Sequence, residues 1–398
     1  MLPTLFRRLH AFSRRLIVRV LLITLWSVIA IALAKILGGV IPLGLKERIG
    51  ADSVDHILSI IANSMLTVTT FSLTVMVASH QSVSSQWTPR AHQILLQDTT
   101  THTVLATFVG AYLYALVAII MRESQVFKGE ELVILFFMTI LVVLMIVVAI
   151  VRWIMHLELL GSLIETSGRI EKKSLEAYDL RCNYPTLGAH PLDEERASRL
   201  REVTSDKTGY VQQVYQDRLQ DAAKEAGADI HVARPVGAFV FRGDILGWTD
   251  GGDACVESMH TNISVGSLRN YAQDPGFGLL NLTEIAQRAL SPGINDPGTA
   301  VDMTGRIARV LLSNQVEPDP EIVHDRLYMP TLDRHALLRE TIGAIARHGR
   351  AHPEVVLALS STLAALSRHQ DSELAAAARD LDAQIHKRID DDVLEQVI

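Results

Sequence analysis

Segment 57–78, ILSIIANSMLTVTTFSLTVMVA, is long and apolar enough to cross a bilayer and contains no charge. It nevertheless carries polar residues at helical spacing. His56, Ser59, Asn63, Thr67, Thr70, Thr74 and Gln81 follow one another by three, four, four, three, four and seven positions. Those steps put all of them along one helical face. An unpaired polar group in hydrocarbon costs free energy, so a stripe of this length must face a neighbouring helix or water. Any fold for this chain has to supply one or the other.

Three more segments have the same length and apolar character: 16–34, 103–121 and 132–151. The first follows Arg7, Arg8, Arg14 and Arg15 and has Arg19 in its first turn, and no small-residue cleavage site ends it, so it reads as a membrane helix and not as a signal peptide. The third span carries Ala106 and Gly110 in the small-xxx-small spacing that lets helices pack closely. The fourth is apolar on every side and suits broad lipid contact. With the N-terminus inside, ten Lys and Arg fall on the cytoplasmic side and five outside, which orients both termini toward the cytoplasm of a bacterial inner membrane. Between the second and third spans, Pro89 opens a short amphipathic segment with Ile94, Leu95 and Leu96, and Trp87 is placed as an interfacial anchor.

Beyond about residue 160 the chain turns polar. We expect a transmembrane domain over 1–158, a helical linker over 159–200, a small α/β module over 201–265 and a helical cytoplasmic domain over 266–398. Together these make a four-helix membrane protein with a cytoplasmic α+β domain. Within the module, 209–214 alternates like a strand, 216–226 reads as a helix and 229–233 as a strand. Segments 238–242 and 245–248 read as a hairpin turning at Gly243-Asp244. Helices are expected near 277–290 and 297–312, separated by SPGINDPG, with Asn295 or Asp296 capping the second and Pro297 in its first turn. Further amphipathic helices fill 332–351 and 354–386.

The net charge of −7, with no large basic block, speaks against nucleic acid as a partner. Cys182 and Cys255 have no spacing that implies a disulfide framework or zinc, and His348 and His352 lack an acidic third ligand. No Walker loop, GxSxG, HExxH or Rossmann glycine string is present, so no cofactor and no enzymatic chemistry is expected. Two readings account for the stripe: hydrogen-bonding glue between helices, or the lining of a weakly selective pore formed by Ser59, Asn63, Thr67, Thr70 and Thr74. Asp55 and His56 would then stand at its outer mouth, either as a titratable entrance or as solvated helix-start residues. SPGINDP is a helix corner or an anion-binding turn, and Gln273, Asp274, Glu284, Arg288, Asn295 and Asp296 are polar enough for a ligand or gating site.

The runs SVSSQWTPR, TGYVQQV, RPVGAFVFRGDIL and QDPGFGLLNLTEIAQRALSPGINDPGTAV resemble the bacterial predicted membrane proteins grouped as domain of unknown function 2254. The matching blocks run from about residue 50 to 310 in the family's order. They depart at Gly298, where many relatives carry a bulkier residue, and fade beyond residue 320. The resemblance implies an integral inner-membrane protein with a cytoplasmic domain and implies no activity. A looser architectural likeness is to small-conductance mechanosensitive channels. The expected function is an oligomeric, channel-like conduit for ions or small solutes, embedded in the lipid bilayer as a homo-oligomer. The alternative is a membrane-anchored sensor or scaffold whose cytoplasmic domain binds a ligand or partner.

Overall fold

The computed structural model describes residues 18, 25, 51–86, 88, 90, 99–124, 131–157, 162–314, 317 and 320–387. The expected first span, 16–34, and the amphipathic segment with Pro89 and Trp87 therefore lie outside the described residues, apart from isolated positions. The chain divides into two compact units, 1–86 with 92–165, and 87–91 with 166–398.

Among the described residues the first unit contains three long helices: α1 (Ala51–Gln86), α2 (Thr99–Glu123) and α3 (Glu131–Leu157). Each contains a stretch apolar and long enough to cross a membrane: Val54–Ser79, Thr100–Glu123 and Val133–Leu157. α2 is the central helix, with 56% of its span buried against 22% for α1 and 28% for α3. Ala106 and Gly110 both lie on the buried side of α2, as their spacing implied. Val54, Leu58, Ile61 and Met65 of α1 pack with Phe108, Ala111, Tyr114 and Ala115 of α2 and Leu135, Ile146 and Trp153 of α3. α3 turns Phe137, Leu141, Leu144, Val148, Val151 and Met155 outward, the broad apolar surface its composition required. Buried polar side chains pair across the helices. Tyr114 and Thr139 hydroxyls meet at 3.0 Å, and Thr101 Oγ1 lies 3.0 Å from His156 Nε2.

The second unit opens on α4 (Leu163–Asn183) and contains two sheets. Strands β1 (Ala189–Pro191), β2 (Arg201–Thr204), β4 (Ile230–Val232), β6 (Ile245–Thr249) and β8 (His324–Met329) form a mixed five-stranded sheet in the order β1-β8-β4-β6-β2. β8 is parallel to both β1 and β4, and β6 is antiparallel to β4 and β2. Strands β3 (Gly209–Val214), β5 (Phe239–Val240) and β7 (Ile263–Gly266) form a separate antiparallel sheet with β3 in the middle. Between them lie the short helix α5 (Glu194–Ala197), α6 (Gln216–Ala226) and α7 (Asp253–Asn262). The core joins Val211 and Val214 of β3, Leu219 and Ala223 of α6, Ile230 and Val232 of β4, Leu246 of β6, Met259 of α7 and Leu327 of β8.

Two expectations are corrected here. The segments at 238–242 and 245–248 are not a hairpin, because β5 pairs with β3 while β6 pairs with β4 and β2 in the other sheet. The chain changes sheets at Gly243, whose φ of +96° is a conformation glycine adopts without penalty. β6 is buried along nearly its whole length, as a central strand must be, whereas β5 offers one buried residue and stays at an edge. Nor is the sheet confined to 201–265: β1 comes from the region expected to be linker and β8 from the region expected to be helical. Parallel pairing of these distant segments leaves no local turn signal to read.

The remaining helices are α8 (Pro275–Ala289), α9 (Pro297–Leu311), α10 (Arg334–Glu340), α11 (Ile342–Gly349), α12 (Pro353–Leu366) and α13 (Ser372–His386). Asp274, Asp296, Asp333 and Asp371 cap α8, α9, α10 and α13 through their carboxylates. Pro275 and Pro297 sit in the first turns of α8 and α9, where a missing N–H costs nothing. α4 lies close against α8 because position 278 is glycine; a Cβ there would fall 1.9 Å from the Ser174 hydroxyl.

Candidate functional site

On α1 the buried and polar stripes occupy opposite sides. At about 100° per residue, Val54, Leu58, Ile61, Met65 and Ser72 cluster around one direction, and Ser59, Asn63, Thr67, Thr70 and Thr74 around the reverse. The first set is buried, and every member of the second is exposed. α2 and α3 pack on the apolar side, so the stripe does not glue α1 to either of them. Exposed Ile60 and Phe71 flank it on one side, and Leu66 and Leu73 on the other.

The stripe's three threonine hydroxyls donate within the helix. Thr67 Oγ1 donates to the Asn63 carbonyl at 3.1 Å, Thr70 to the Thr67 carbonyl at 2.9 Å, and Thr74 to the Thr70 carbonyl at 3.0 Å. Their donor needs are thus met locally, and oxygen lone pairs together with the Asn63 carboxamide remain directed outward.

Asp55 and His56 separate. Asp55 forms a two-point ion pair with Arg122 at the end of α2; the Nε–Oδ1 contact is 2.8 Å and Nη2 bonds Oδ2. Its carboxylate therefore ties α1 to α2, while His56 next to it is exposed. Sequence reading missed Arg122 because the two residues are far apart in the chain, with only their position near span ends in common.

The six polar residues proposed for the second unit do not converge on one cavity. Gln273 is buried and serves β3, accepting from the Val214 N–H and donating to the Val214 carbonyl, both at 3.0 Å. Asp274 caps α8 and pairs with Arg269 through two contacts of 2.8 Å. Glu284 pairs with Arg90. Arg288 is half-buried one turn further along α8. Asn295, at φ +52°, and Asp296 lie exposed in the corner between α8 and α9. Asp296 accepts from the Thr299 N–H at 3.0 Å and the Thr299 hydroxyl at 2.6 Å. Those bonds hold its carboxyl below the usual range. These bonds are those of a helix corner.

A buried cationic cluster went unanticipated. Arg181 of α4 is 3% exposed and donates to the Pro330 carbonyl at 3.2 Å. Burial, and then the neighbouring positive charge of Arg334, pull its guanidinium down to about 10. Arg334 is neutralised by Asp371 at 3.0 Å. Beside them, burial pushes the Cys182 thiol up to about 11, so it is a packed, unreactive cysteine. Among the described residues no group of three or more His, Cys, Asp or Glu is arranged to hold a metal.

The model of a family of predicted membrane proteins, domain of unknown function 2254, matches residues 13–365. The chain belongs to this family. The match reaches well past residue 320, where the resemblance was expected to fade, and takes in β8 and α10 to α12. As a member of this family the chain is a membrane protein, and its apolar helices are the elements that meet lipid. It is similar to uncharacterized proteins of Mycobacterium bovis and Mycobacterium tuberculosis, 25% identical over 343 residues. Each alignment covers 79% of this chain, which spans 63% of the length of those relatives. No solved structure matches.

Proposed function

We propose that this family member is a non-enzymatic, channel-like conduit for ions or small solutes, formed when several copies assemble with the polar faces of α1 turned toward a common axis. One observation carries this reading: the stripe Ser59, Asn63, Thr67, Thr70 and Thr74 is exposed on the side of α1 opposite its packing face. Left against lipid, such a stripe keeps polar groups in hydrocarbon. Turned toward other copies it lines a wet path, and the apolar residues on either flank seal helix against helix. Uncharged hydroxyl oxygens and one carboxamide suit weak selection among small polar species. In this reading the first apolar segment, 16–34, supplies a fourth span, and both termini and the second unit lie in the cytoplasm.

Ion flux from liposomes carrying the full-length protein, compared with Thr70→Trp at equal incorporation, is the test. Thr70 is exposed and lies opposite the face on which α1 packs, so the variant is expected to fold and to lose flux. Undiminished flux in a folded Thr70→Trp protein sinks the pore assignment. Absence of flux from both proteins, with Asn63→Leu weakening the oligomer, moves the assignment to a membrane-anchored scaffold in which the stripe joins copies.

A further inference from the structure

A cavity of about 520 Å³ opens between α10–α11 and α13. Its rim carries Arg339, Arg347 and Arg350, its floor includes Gly343, and Leu381 and Ile385 form the facing wall. Arg339 comes from the end of α10, Arg347 from α11 and Arg350 from its C-cap, and all three line this one cavity. The volume lies in the ordinary range for small-molecule sites.

Several arginines of this unit are paired with carboxylates: Arg306 and Arg309 share Glu171, Arg269 holds Asp274, and Arg334 holds Asp371. Others are held by backbone carbonyls, as Arg234 is by Ile245 and Arg379 by Ser367. The three around this cavity have no carboxylate within ion-pair distance among the described residues. Three guanidiniums lining one cavity, unpaired among the described residues, form a field that attracts a multiply charged anion, and their planar forks match phosphate oxygens two at a time. Leu381 and Ile385 give an apolar wall for the rest of such a ligand.

We propose that this groove is a binding site for a small phosphate-bearing molecule with an apolar portion. The phosphate comes either from a soluble phosphorylated compound or from an anionic lipid headgroup; the recognition chemistry is the same. Pyrophosphate titrated calorimetrically into the full-length protein in detergent, at low ionic strength, tests the site. Binding is expected to weaken at least tenfold in Arg347→Gln/Arg350→Gln and to fall steeply with added salt. Both arginines are exposed and make no ion pair among the described residues, so the variant's melting temperature should match the parent's, separating a lost site from a lost fold. No binding to the parent protein, or equal binding to both, overturns the proposal. Repeating the titration in nanodiscs identifies the source. Loss of pyrophosphate binding when phosphatidylglycerol replaces a zwitterionic lipid supports a headgroup in the groove, and unchanged binding supports a soluble ligand.

Discussion

Asp371→Asn isolates the charge that holds the helical half of the second unit together. Asp371 accepts from Arg334 Nε at 3.0 Å, and the two side chains are only 8% and 4% exposed. Its other oxygen caps α13, accepting from the N–H groups of Glu373 and Leu374 at 3.1 Å each. An asparagine keeps an oxygen for the cap and removes only the charge. Arg334 is then left buried and unneutralised, with the buried cation Arg181 close by. Breaking one side of a buried pair costs roughly 3–5 kcal/mol. For a unit of this size each kcal/mol lowers the melting temperature by about 2–4 °C, so a drop of roughly 6 °C or more is expected in thermal unfolding of the full-length protein followed by circular dichroism. Asp371→Ala should lose about 1 kcal/mol more through the cap. The double variant Arg334→Leu/Asp371→Leu should lose less than either single change, because no charge is stranded. A drop below about 3 °C for Asp371→Asn, or additive losses in the double variant, would refute the claim that the pair's mutual neutralisation is what matters.

Two further perturbations probe other parts of the chain. Exchanging Asp55 and Arg122, as Asp55→Arg/Arg122→Asp, should recover most of the thermal stability that Asp55→Ala loses; equal losses in both would show that the ion pair does not tie α1 to α2. His231, stacked on Tyr328 with ring centres 4.2 Å apart, and His324 are both held below the usual histidine range by burial. A folded pKa depressed below the unfolded value of about 6.5 means their contribution is complete above pH 6.5 and is lost as pH falls from there toward the folded pKa. Melting temperature should therefore decline between pH 6.5 and 5.5, and His231→Phe, which keeps the stack, should flatten that decline; an identical pH slope in the variant would exclude His231 as a source.

The apolar spans were legible in the sequence because membrane length and hydropathy act on contiguous residues. The helix start at Asp296 was legible for the same reason, since a cap and the proline after it act within one turn, whereas the equivalent cap at Asp274 was read as a site residue. The polar stripe on α1 could also be read, because a helical face is a local periodicity. Which way that face points could not: direction depends on where α2 and α3 pack, and their packing placed the stripe on the outside. The false hairpin at 238–248 and the missed parallel strands at 189–191 and 324–329 share a cause. Strand partners are chosen by burial and register across long stretches of chain, and adjacency in sequence is only a weak guide to them. The arginine groove shows the same division. Its arginines are present in the sequence, but a guanidinium's partners are set by distance in three dimensions, and only the tertiary structure brought the three to one cavity with no carboxylate partner among the described residues.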